Sequence, residues 1–388
     1  MSRRLVQIFA CSLFMLMLSA AAQAQTVRGG MGILSKLGNW INSTTGEGLD
    51  STYIAVPSQP WQVIVQGYAN KSDLLMKSTY DGSRMFSLVV GDITAEPHIS
   101  SGLSTTAGVW VGYRGWGLGY SADISGGDGE DWDFEFSSDA YYVKVRLHSF
   151  EGGNFKTRVS GLLANPEDAT ADPEPFDLMQ PLYLSSPVKI KSQLFEGVYI
   201  FNSRQFSYSA AYDQALIQRR SAGSLIAGLR YFHSDYNYAH DSNADLILNM
   251  NDLGRIKTWQ VSLGAGYAYN WVPVKGLLVS LMAMPMITPV NRIQTYSFDS
   301  NLRQLALDDE VHSDDELKPE DYKISPLATE SNWSRVMLNI NSRAAISYNW
   351  SRFYISANGN FYHSRYSYRK NSGRLNDWSA NLNVGVRF

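Results

Sequence analysis

The sequence of 388 residues has 33 basic and 36 acidic residues, a formal net charge of −3 and 44% hydrophobic residues. This balance excludes a nucleic-acid-binding protein, which needs a basic surface, and a disordered chain, which has too few apolar residues to form a core. The single cysteine excludes a disulfide framework and a cysteine-ligated metal cluster, and we expect neither a metal ion nor a cofactor.

The N-terminus has the pattern of a secretory signal peptide. Two arginines precede an apolar run over residues 5–22, and Ala22-Gln23-Ala24 has the small-x-small form that signal peptidase cuts. We predict cleavage after Ala24, so that residues 1–24 are removed. An uncleaved membrane anchor is the alternative, because the run is about as long as the shortest spanning helix. Cleavage would remove Cys11 and export a protein without cysteine into the bacterial envelope.

Residues 25–60 are expected to form an N-terminal segment in the periplasm or in the lumen of the domain that follows. Between Met31 and Asn42 apolar residues recur at the spacing of a helix, namely Ile33, Leu34, Leu37 and Ile41. The spacing predicts a short helix, which either plugs a lumen or lies at a membrane interface.

Residues 61–388 show a period-two alternation of apolar and polar residues, which indicates strands with two different faces. In the last segment one face is apolar from Trp378 to Phe388, whereas the other carries Ser379, Asn383 and Arg387. The segments have about ten residues, the length that a tilted strand needs to cross a bilayer. The 10 Trp and 23 Tyr residues suit its two interfaces. We predict an all-β, closed antiparallel transmembrane barrel; a soluble sandwich has the same local pattern and is the alternative.

The alternation divides into about 14 strands, within a range of roughly 12 to 16. The predicted strands cover residues 61–69, 84–92, 104–113, 115–125, 139–149, 153–162, 190–201, 204–214, 223–233, 257–271, 275–287, 333–349, 352–362 and 377–388. Barrels of this type have short periplasmic turns and long outer loops. The C-terminal half obeys this rule, but the N-terminal half puts the long stretches 126–138 and 163–189 on the periplasmic side. Either a strand between 115 and 215 is miscounted, or these stretches are periplasmic elaborations.

The polar faces of the predicted strands place charged residues inside the barrel. Lys144, Arg146 and His148 share one strand face, and one hypothesis is that they form a ladder of positive charge for anionic solutes. A salt-bridged interior that fills the lumen uses the same residues and is the alternative. The predicted lumen-lining set is Lys144, Arg146, His148, Arg230, Arg335, Arg343 and Arg387, with Asp123 and Asp213 as candidate partners.

Two further segments depart from the alternation. Leu277 to Ile287 is apolar on both faces and carries a row of methionines at 282, 284 and 286. This row would suit a lipid-like ligand or would pack against the N-terminal helix, and we expect the packing. The segment 291–332 has eight acidic residues between Asp308 and Asp321. A cation that bridges lipopolysaccharide would suit this cluster, but a solvated outer loop is the simpler interpretation.

No catalytic pattern is present in the sequence. The six histidines form no metal-binding array, and there is no nucleophile elbow, phosphate-binding loop or dinucleotide fingerprint. His233 and Ser234 adjoin Asp235, but neighbouring residues of a strand point to opposite faces. We predict that the protein is not an enzyme; an enzyme that acts on membrane lipids at the barrel rim is the alternative.

Several stretches resemble an uncharacterised domain-of-unknown-function family of envelope proteins from Gram-negative, anaerobe-type genomes. The resemblance is carried by Asp50-Ser-Thr-Tyr53-Ile54, Gly112 to Ser121, Phe206-Ser-Tyr208 and above all Gln218-Arg-Arg-Ser-Ala-Gly-Ser224. The resemblance spans most of the chain after about residue 48. It implies an outer-membrane β-barrel and supplies no activity, ligand or catalytic residue.

Together these patterns predict a signal peptide at 1–24, an N-terminal segment at 25–60 and one outer-membrane β-barrel at 61–388. The barrel would be a passive pore or carrier for small or lipid-like molecules, or a structural envelope protein. Its expected partners are outer-membrane lipid, lipopolysaccharide and the barrel-assembly machinery, to which a C-terminal strand ending in Phe388 is suited.

Overall fold

The computed structural model describes residues 48–82, 88–100, 103–125, 130–152, 154–165, 171–182, 188–237, 253–297, 325–368 and 371–388. The predicted signal peptide and the helix predicted between Met31 and Asn42 lie outside these ranges. The described strands are, in chain order, β1 (Ile54–Ala55), β2 (Trp61–Asp81), β3 (Asp92–Ser100), β4 (Ser104–Tyr113), β5 (Trp116–Asp123), β6 (Glu130–Ser137), β7 (Tyr141–Gly152), β8 (Asn154–Leu163), β9 (Glu174–Leu182), β10 (Val188–Ile200), β11 (Ile217–Gln218), β12 (Ala222–Asn237), β13 (Leu253–Trp271), β14 (Leu277–Ser297), β15 (Glu330–Trp333), β16 (Met337–Trp350), β17 (Phe353–Tyr368) and β18 (Asn371–Arg387).

Twelve of these strands form a closed antiparallel barrel. They are β2, β4 to β7, β10, β12 to β14 and β16 to β18, each hydrogen-bonded to a barrel strand on both sides. The barrel closes where β18 pairs with β2, and Trp61 and Phe388 exchange two backbone hydrogen bonds of 3.2 and 3.0 Å. Closure satisfies the backbone groups of the wall, so the barrel has no open edge.

The connections differ between the two ends of the barrel. We call one end the short-turn rim; its connections are 114–115, 138–140, 201–221, 272–276 and 351–352. The other end is the long-loop rim, where β2 and β14 extend to 21 residues each. With 12 strands, all the long loops except 201–221 lie at one end, which resolves the conflict in the predicted topology.

The strand count of 14 was wrong for specific reasons. Among the described residues, segment 84–92 contributes no barrel strand, because Val89 forms only an isolated bridge with Leu163 and β3 starts only at Asp92. Residues 84–87 of this segment lie outside the described ranges. Segment 153–162 forms β8, which lies outside the barrel, and 204–214 folds into the lumen.

One barrel strand was missed. β6 alternates aromatic residues with Asp131, Asp133 and Glu135. So many charges in a short stretch are typical of a connecting loop, and no strand was predicted there. The acids are tolerated inside the wall because each has a basic neighbour on β7, as described below.

The long-loop rim carries a small extension of the wall. β3 pairs with the upper half of β2, β8 pairs with β3, and β9 pairs with β8. One face of β3 is buried through Ile93, Ala95 and Ile99. These three side chains are buried. Arg158 on β8 and Asp177 on β9, by contrast, form an ion pair that is exposed to solvent.

The outer face of the barrel is apolar. Leu225, Leu281, Leu338 and Leu382 are each more than half exposed although they belong to barrel strands. At the short-turn rim the outward residues are aromatic: Trp61, Tyr113, Trp116, Phe136, Tyr141, Tyr199, Phe201, Tyr269, Trp271, Tyr348, Trp350, Phe353 and Phe388. Apolar side chains outside and polar side chains inside are the reverse of a soluble fold.

The described residues contain one helix, α1 (Ser209–Tyr212), which has four residues. No helix in this part of the chain is long and apolar enough to cross a membrane.

Candidate functional site

The lumen is occupied by the connection between β10 and β12. We call residues 201–221 the plug segment; it enters from the short-turn rim and contains α1 and β11. Its central residues are buried on all sides, with Phe206 and Ala211 at 0% exposure. The alternation that predicted a strand at 204–214 has no partner strand here, because the segment packs against the inner faces of several barrel strands at once.

The turn that follows α1 in the plug segment is held by three residues of the wall. The main-chain carbonyl of Gln214 accepts hydrogen bonds from Gln62 Nε2 at 2.8 Å and from the Arg387 guanidinium at 2.7 Å. Asn349 Nδ2 donates to the side-chain oxygen of Gln214 at 3.2 Å. Gln214 has φ of 61°, a left-handed conformation that is costly for a residue with a side chain. The surrounding donors therefore hold the plug segment in a strained turn.

A second attachment is made by Gln218, which is 3% exposed. Its side-chain oxygen accepts from the Ser207 amide at 2.9 Å and from Asn270 Nδ2 at 3.0 Å. Its Nε2 donates to the carbonyls of Gln205 at 2.6 Å and Arg220 at 2.9 Å. A buried amide with both ends satisfied fixes two turns of the plug segment to β13.

The plug segment also binds the N-terminal residues that the structure describes. Ile54 and Ala55 in β1 pair with β11, and the Arg219 amide donates to the Tyr53 carbonyl at 2.6 Å. The Asp50 carboxylate accepts hydrogen bonds from the backbone amide and the hydroxyl of Thr52. The Asp50 backbone amide donates to the Arg204 carbonyl at 2.9 Å. The opening of the barrel at the short-turn rim is thus covered by the plug segment and by residues 50–55, which are hydrogen-bonded to each other.

The methionine row of β14 faces the lumen, and Met282, Met284 and Met286 are each at most 3% exposed. They pack in one apolar cluster with the plug segment, including Phe206 and Ala210. The predicted partner, the helix at 31–42, lies outside the described residues. Gly264 and Gly266 on β13 make room for this row, since a Cβ on Gly266 would lie 2.7 Å from the Met284 Cα.

Charged residues fill the lumen beside the plug segment. Lys144 Nζ lies 3.1 Å from Asp133 and 2.8 Å from Glu135, and Arg146 binds Asp131 with contacts of 2.6 to 2.9 Å. These are cross-strand pairs between β6 and β7. Arg146 also lies over the ring of Tyr68 at 4.1 Å.

The most buried charge is Glu196 on β10, whose side chain is fully enclosed. It accepts from Arg230 of the neighbouring β12 at 3.2 Å and from Arg343 of β16, across the lumen. Asn341 Nδ2 donates to the same carboxylate at 3.3 Å. Arg343 in turn lies 5.6 to 5.8 Å from the ring centres of Tyr142, Tyr208 and Tyr212. Glu196 therefore joins β10 to β16, four strands away around the barrel, through part of the space that an open pore would need.

The structure brings most of the predicted lumen residues together, but not with the predicted partners. Lys144, Arg146, Arg230 and Arg343 pair with Asp131, Asp133, Glu135 and Glu196. None of these four acids was singled out from the sequence, although the alternation of acids with Trp132, Phe134 and Phe136 marks the strand that carries three of them.

The remaining predicted residues are placed as follows. His148 is buried beside Asp131, at 3.6 Å, and Arg387 holds the plug segment. Asp123 lies near the long-loop end of β5, where it accepts from the Ser125 amide at 2.6 Å. Arg335 lies in the exposed connection between β15 and β16 rather than on a lumen-facing strand position.

Asp213 lies at the end of α1 and is 2% exposed. Burial raises the pKa of Asp213 to about 7, although the hydrogen bond from Ser209 opposes this shift. The Ala215 amide also donates to the carboxylate, at 2.9 Å. Because Asp213 belongs to the plug segment, its charge affects how firmly that segment binds in the lumen.

A small polar cavity of about 30 Å³ remains in the lumen beside Tyr212 and Asp213 of the plug segment, bounded by side chains of β2, β4, β6, β7, β16, β17 and β18. Its lining includes Trp110, Asn358, Asn360, Asn381 and Asn383. The side-chain oxygens of Asn360, Asn381 and Asn383 and the indole nitrogen of Trp110 are buried and have no hydrogen-bond partner in the structure. Such groups need water or another polar molecule.

The described histidines form no nucleophile–histidine–carboxylate arrangement. His233 Nδ1 lies 2.7 Å from the Thr258 carbonyl, and His363 Nδ1 lies 2.6 Å from Asn376. His98 lies 3.7 Å from Asp73. No group of three or more metal-binding side chains in the described ranges is arranged to hold a metal ion.

A family model described as "Domain of unknown function (DUF4421)" matches residues 94–388. The chain belongs to this family. No curated protein matches the sequence of this DUF4421 member.

Solved structures similar to the DUF4421 chain are outer-membrane β-barrels. The translocator domain of the autotransporter NalP from Neisseria meningitidis is 9% identical, with 92% of this chain and 96% of that chain covered and a TM-score of 0.30. The outer-membrane protein OprG from Pseudomonas aeruginosa is 8% identical, with 85% and 97% covered and a TM-score of 0.26. An outer-membrane channel from Pseudomonas putida F1 is 12% identical, with 87% and 98% covered and a TM-score of 0.26. At these scores none of them supports a functional assignment.

In this DUF4421 chain, the residues that carried the resemblance lie at structurally demanding places. Gln218 to Ser224 anchors the plug segment, because Ser221 and Ser224 accept backbone hydrogen bonds from Val272 and Asn202, each at 2.9 Å. Gly112 and Gly117 seat the inward ring of Trp110, and a Cβ on either would lie about 2 Å from that ring.

Proposed function

We propose that this protein is an integral outer-membrane β-barrel whose lumen is closed at rest by the plug segment, and which passes small polar solutes when that segment moves. The outer-membrane setting is supported by the apolar outer wall and by the aromatic side chains at the short-turn rim, since such a surface is stable only in contact with lipid.

The closed resting state is carried by one observation. The plug segment and the Glu196, Arg230 and Arg343 cluster occupy the lumen together, and the Glu196 side chain has no exposed surface. A charge can be fully enclosed only when paired and hydrogen-bonded, so this arrangement is stable as a closed state.

Passage of polar solutes is supported by the wall next to the plug segment. The asparagines on β17 and β18 line the cavity with amide groups, and the side-chain oxygens of Asn360, Asn381 and Asn383 lack a hydrogen-bond partner. A wall that served only to fill the barrel would be more stable with apolar side chains, because each unpaired buried amide costs about 1 to 3 kcal/mol. The lumen bases are all paired or used to hold the plug segment, so we do not propose selectivity for anions.

The second candidate is a structural envelope protein with a permanently closed lumen. It is favoured by the number of attachments of the plug segment, which include Gln62, Asn270, Asn349 and Arg387 from four different strands. The two candidates differ in whether the lumen admits solutes once the plug segment is removed, because a purely structural barrel stays closed by the Glu196, Arg230 and Arg343 cluster.

Swelling of proteoliposomes in small sugars and amino acids separates these functions. The test compares the native protein with a variant in which residues 203–216 are replaced by a short Gly-Ser turn. We expect little swelling with the native protein and rapid swelling with the variant, limited to small solutes. If the folded variant also fails to admit solutes, the pore proposal is contradicted and the structural candidate stands. Rapid swelling with the native protein contradicts the closed state.

A further inference from the structure

The outer surface near the long-loop rim carries a patch of basic and aromatic side chains on β13, β14 and β15. We call it the basic–aromatic patch; it consists of Arg255, Lys257, Trp259, Arg292, Tyr296 and Trp333. Its residues are neighbours by register, since Trp259 lies opposite Arg292 and Arg292 lies opposite Trp333. Arg255 lies opposite Tyr296 on the same two strands that carry Trp259 and Arg292.

The cations of the patch are in contact with its rings. The Arg292 guanidinium lies 5.8 Å from the ring centre of Trp259 and 6.0 Å from that of Trp333. Lys257 Nζ lies 5.0 Å from the ring centre of Tyr296. Cation–π contacts of this kind orient the charges on the surface but leave their hydrogen-bond donors available.

Two of the three cations have no acidic partner in the part of the chain that the structure describes. Arg255 binds Asp235 through two contacts of 2.5 and 2.7 Å. Arg292 contacts only the Ser331 hydroxyl, at 3.0 and 3.1 Å, and Lys257 forms no ion pair there. The patch therefore has an excess of positive charge over the described acids.

The patch lies directly beyond the apolar belt of the barrel. Toward the short-turn rim, outward positions on β13, β14 and the neighbouring β12 include Leu263, Ile287 and Leu229, which are 40 to 51% exposed. Trp259 and Leu263 are four residues apart, which is about 13 Å along a strand. A molecule that meets both surfaces must have an anionic head and apolar chains.

We infer that the basic–aromatic patch binds the phosphorylated headgroup of an outer-leaflet lipid, with the acyl chains of that lipid lying on the apolar belt below. A phosphate suits the patch because guanidinium and ammonium donors bind its oxygens through charge-assisted hydrogen bonds. The aromatic rings suit the depth, because Trp and Tyr are favoured where a headgroup region meets hydrocarbon. The inference rests on the proposed outer-membrane setting and is independent of the plug segment.

The test measures binding of lipid A to the full-length protein in detergent by native mass spectrometry. We expect diphosphorylated lipid A to bind, and the double variant Lys257→Gln and Arg292→Gln to bind it at least about tenfold more weakly, equivalent to about 1.4 kcal/mol. The charge-conserving double variant Lys257→Arg and Arg292→Lys should retain binding. The matched control is Lys275→Gln with Arg352→Gln, which removes two exposed cations from the short-turn rim and should bind like the native protein.

Three outcomes overturn the inference: equal binding by the Gln variant, equal binding of dephosphorylated lipid A, or displacement of the lipid by millimolar inorganic phosphate. The last outcome would identify the site as one for free phosphate. Retention of the folded band on unheated gels checks that each variant is intact. Failure of the proposed function is distinguishable, because the protein would then fail to insert into liposomes or would swell them without any change to the plug segment.

Discussion

Glu196 is the acidic residue that links the largest number of barrel strands in the described interior, because Arg230 and Arg343 both bind it. Its carboxylate is enclosed and is shared by Arg230 and Arg343 from two other strands. Removing one member of such a cluster leaves unpaired charge in a site without water, which costs far more than an exposed ion pair contributes.

We predict that Glu196→Ala lowers the free energy of unfolding by about 3 to 5 kcal/mol, because both arginines lose their partner. The measurement is the denaturant concentration at which half of the purified barrel is unfolded, with unfolding monitored as the shift of the folded band on gels. The variant in which Glu196, Arg230 and Arg343 are all replaced by methionine should regain most of this loss. A single variant as stable as the native protein would show that water reaches the cluster.

Asp213 makes the attachment of the plug segment dependent on pH. Its folded pKa of about 7 lies above the ordinary value of 3.8, so the folded protein holds the proton more tightly than the unfolded chain. The stabilisation by the neutral form is present at low pH and is lost as the pH rises toward 7. Glu135 raises this pKa further by its negative charge, and Tyr354 and Arg387 also lie close enough to interact with Asp213.

Hydrogen exchange of the plug segment, corrected for the chemical rate, should therefore be slower at pH 5.5 than at pH 8 by roughly tenfold or more, given that one pKa unit corresponds to about 1.4 kcal/mol. Asp213→Asn should exchange at the same corrected rate at both pH values. Equal rates in the native protein would mean that the carboxylate is hydrated and titrates normally.

At the scale of elements, the plug segment takes the place that the sequence suggested for a strand. Its apolar residues alternate as in a strand, but Ser209 to Tyr212 form a helical turn that the wall residues surround. The alternation reports which side chains are apolar and does not distinguish a lumen filled by the chain itself from a wall that faces lipid. The role of Gln218 could not be read from its position, because its five contacts come from residues distant in the sequence or in adjacent turns.

We predict that Gln218→Ala loosens the plug segment without unfolding the barrel, because the wall strands keep their own pairing. Trypsin should then cleave after Arg219 or Arg220 at least about tenfold faster than in the native protein, if two hydrogen bonds of about 1 kcal/mol each are lost on balance. The matched control is Gln59→Ala, a change of the same residue type outside the plug segment. Unchanged cleavage in the Gln218 variant would show that Gln62, Asn349 and Arg387 alone hold the segment.

At the scale of the whole molecule, the alternation of faces predicted the barrel, and the aromatic strand ends predicted the ring of side chains at the short-turn rim. The count was too high by two because three predicted segments, 84–92, 153–162 and 204–214, contribute no strand to the described wall, whereas one wall strand, β6, was not predicted. Segments 153–162 and 204–214 alternate without belonging to the wall, and β6 carries Asp131, Asp133 and Glu135 where a barrel strand was not expected. The pairing of Lys144 and Arg146 depends on β6 lying next to β7, so the missed strand also concealed the lumen acids. Glu196 and Arg343 meet across the lumen, and no local pattern predicts such a contact.

Closure of the barrel by its own plug segment can be measured by single-channel recording of the native protein in planar bilayers. We expect a protein that inserts but carries no steady current at low voltage, with conductance appearing when residues 203–216 are replaced by a short turn. A steady open-channel current from the native protein, unchanged by that replacement, would contradict closure by the plug segment.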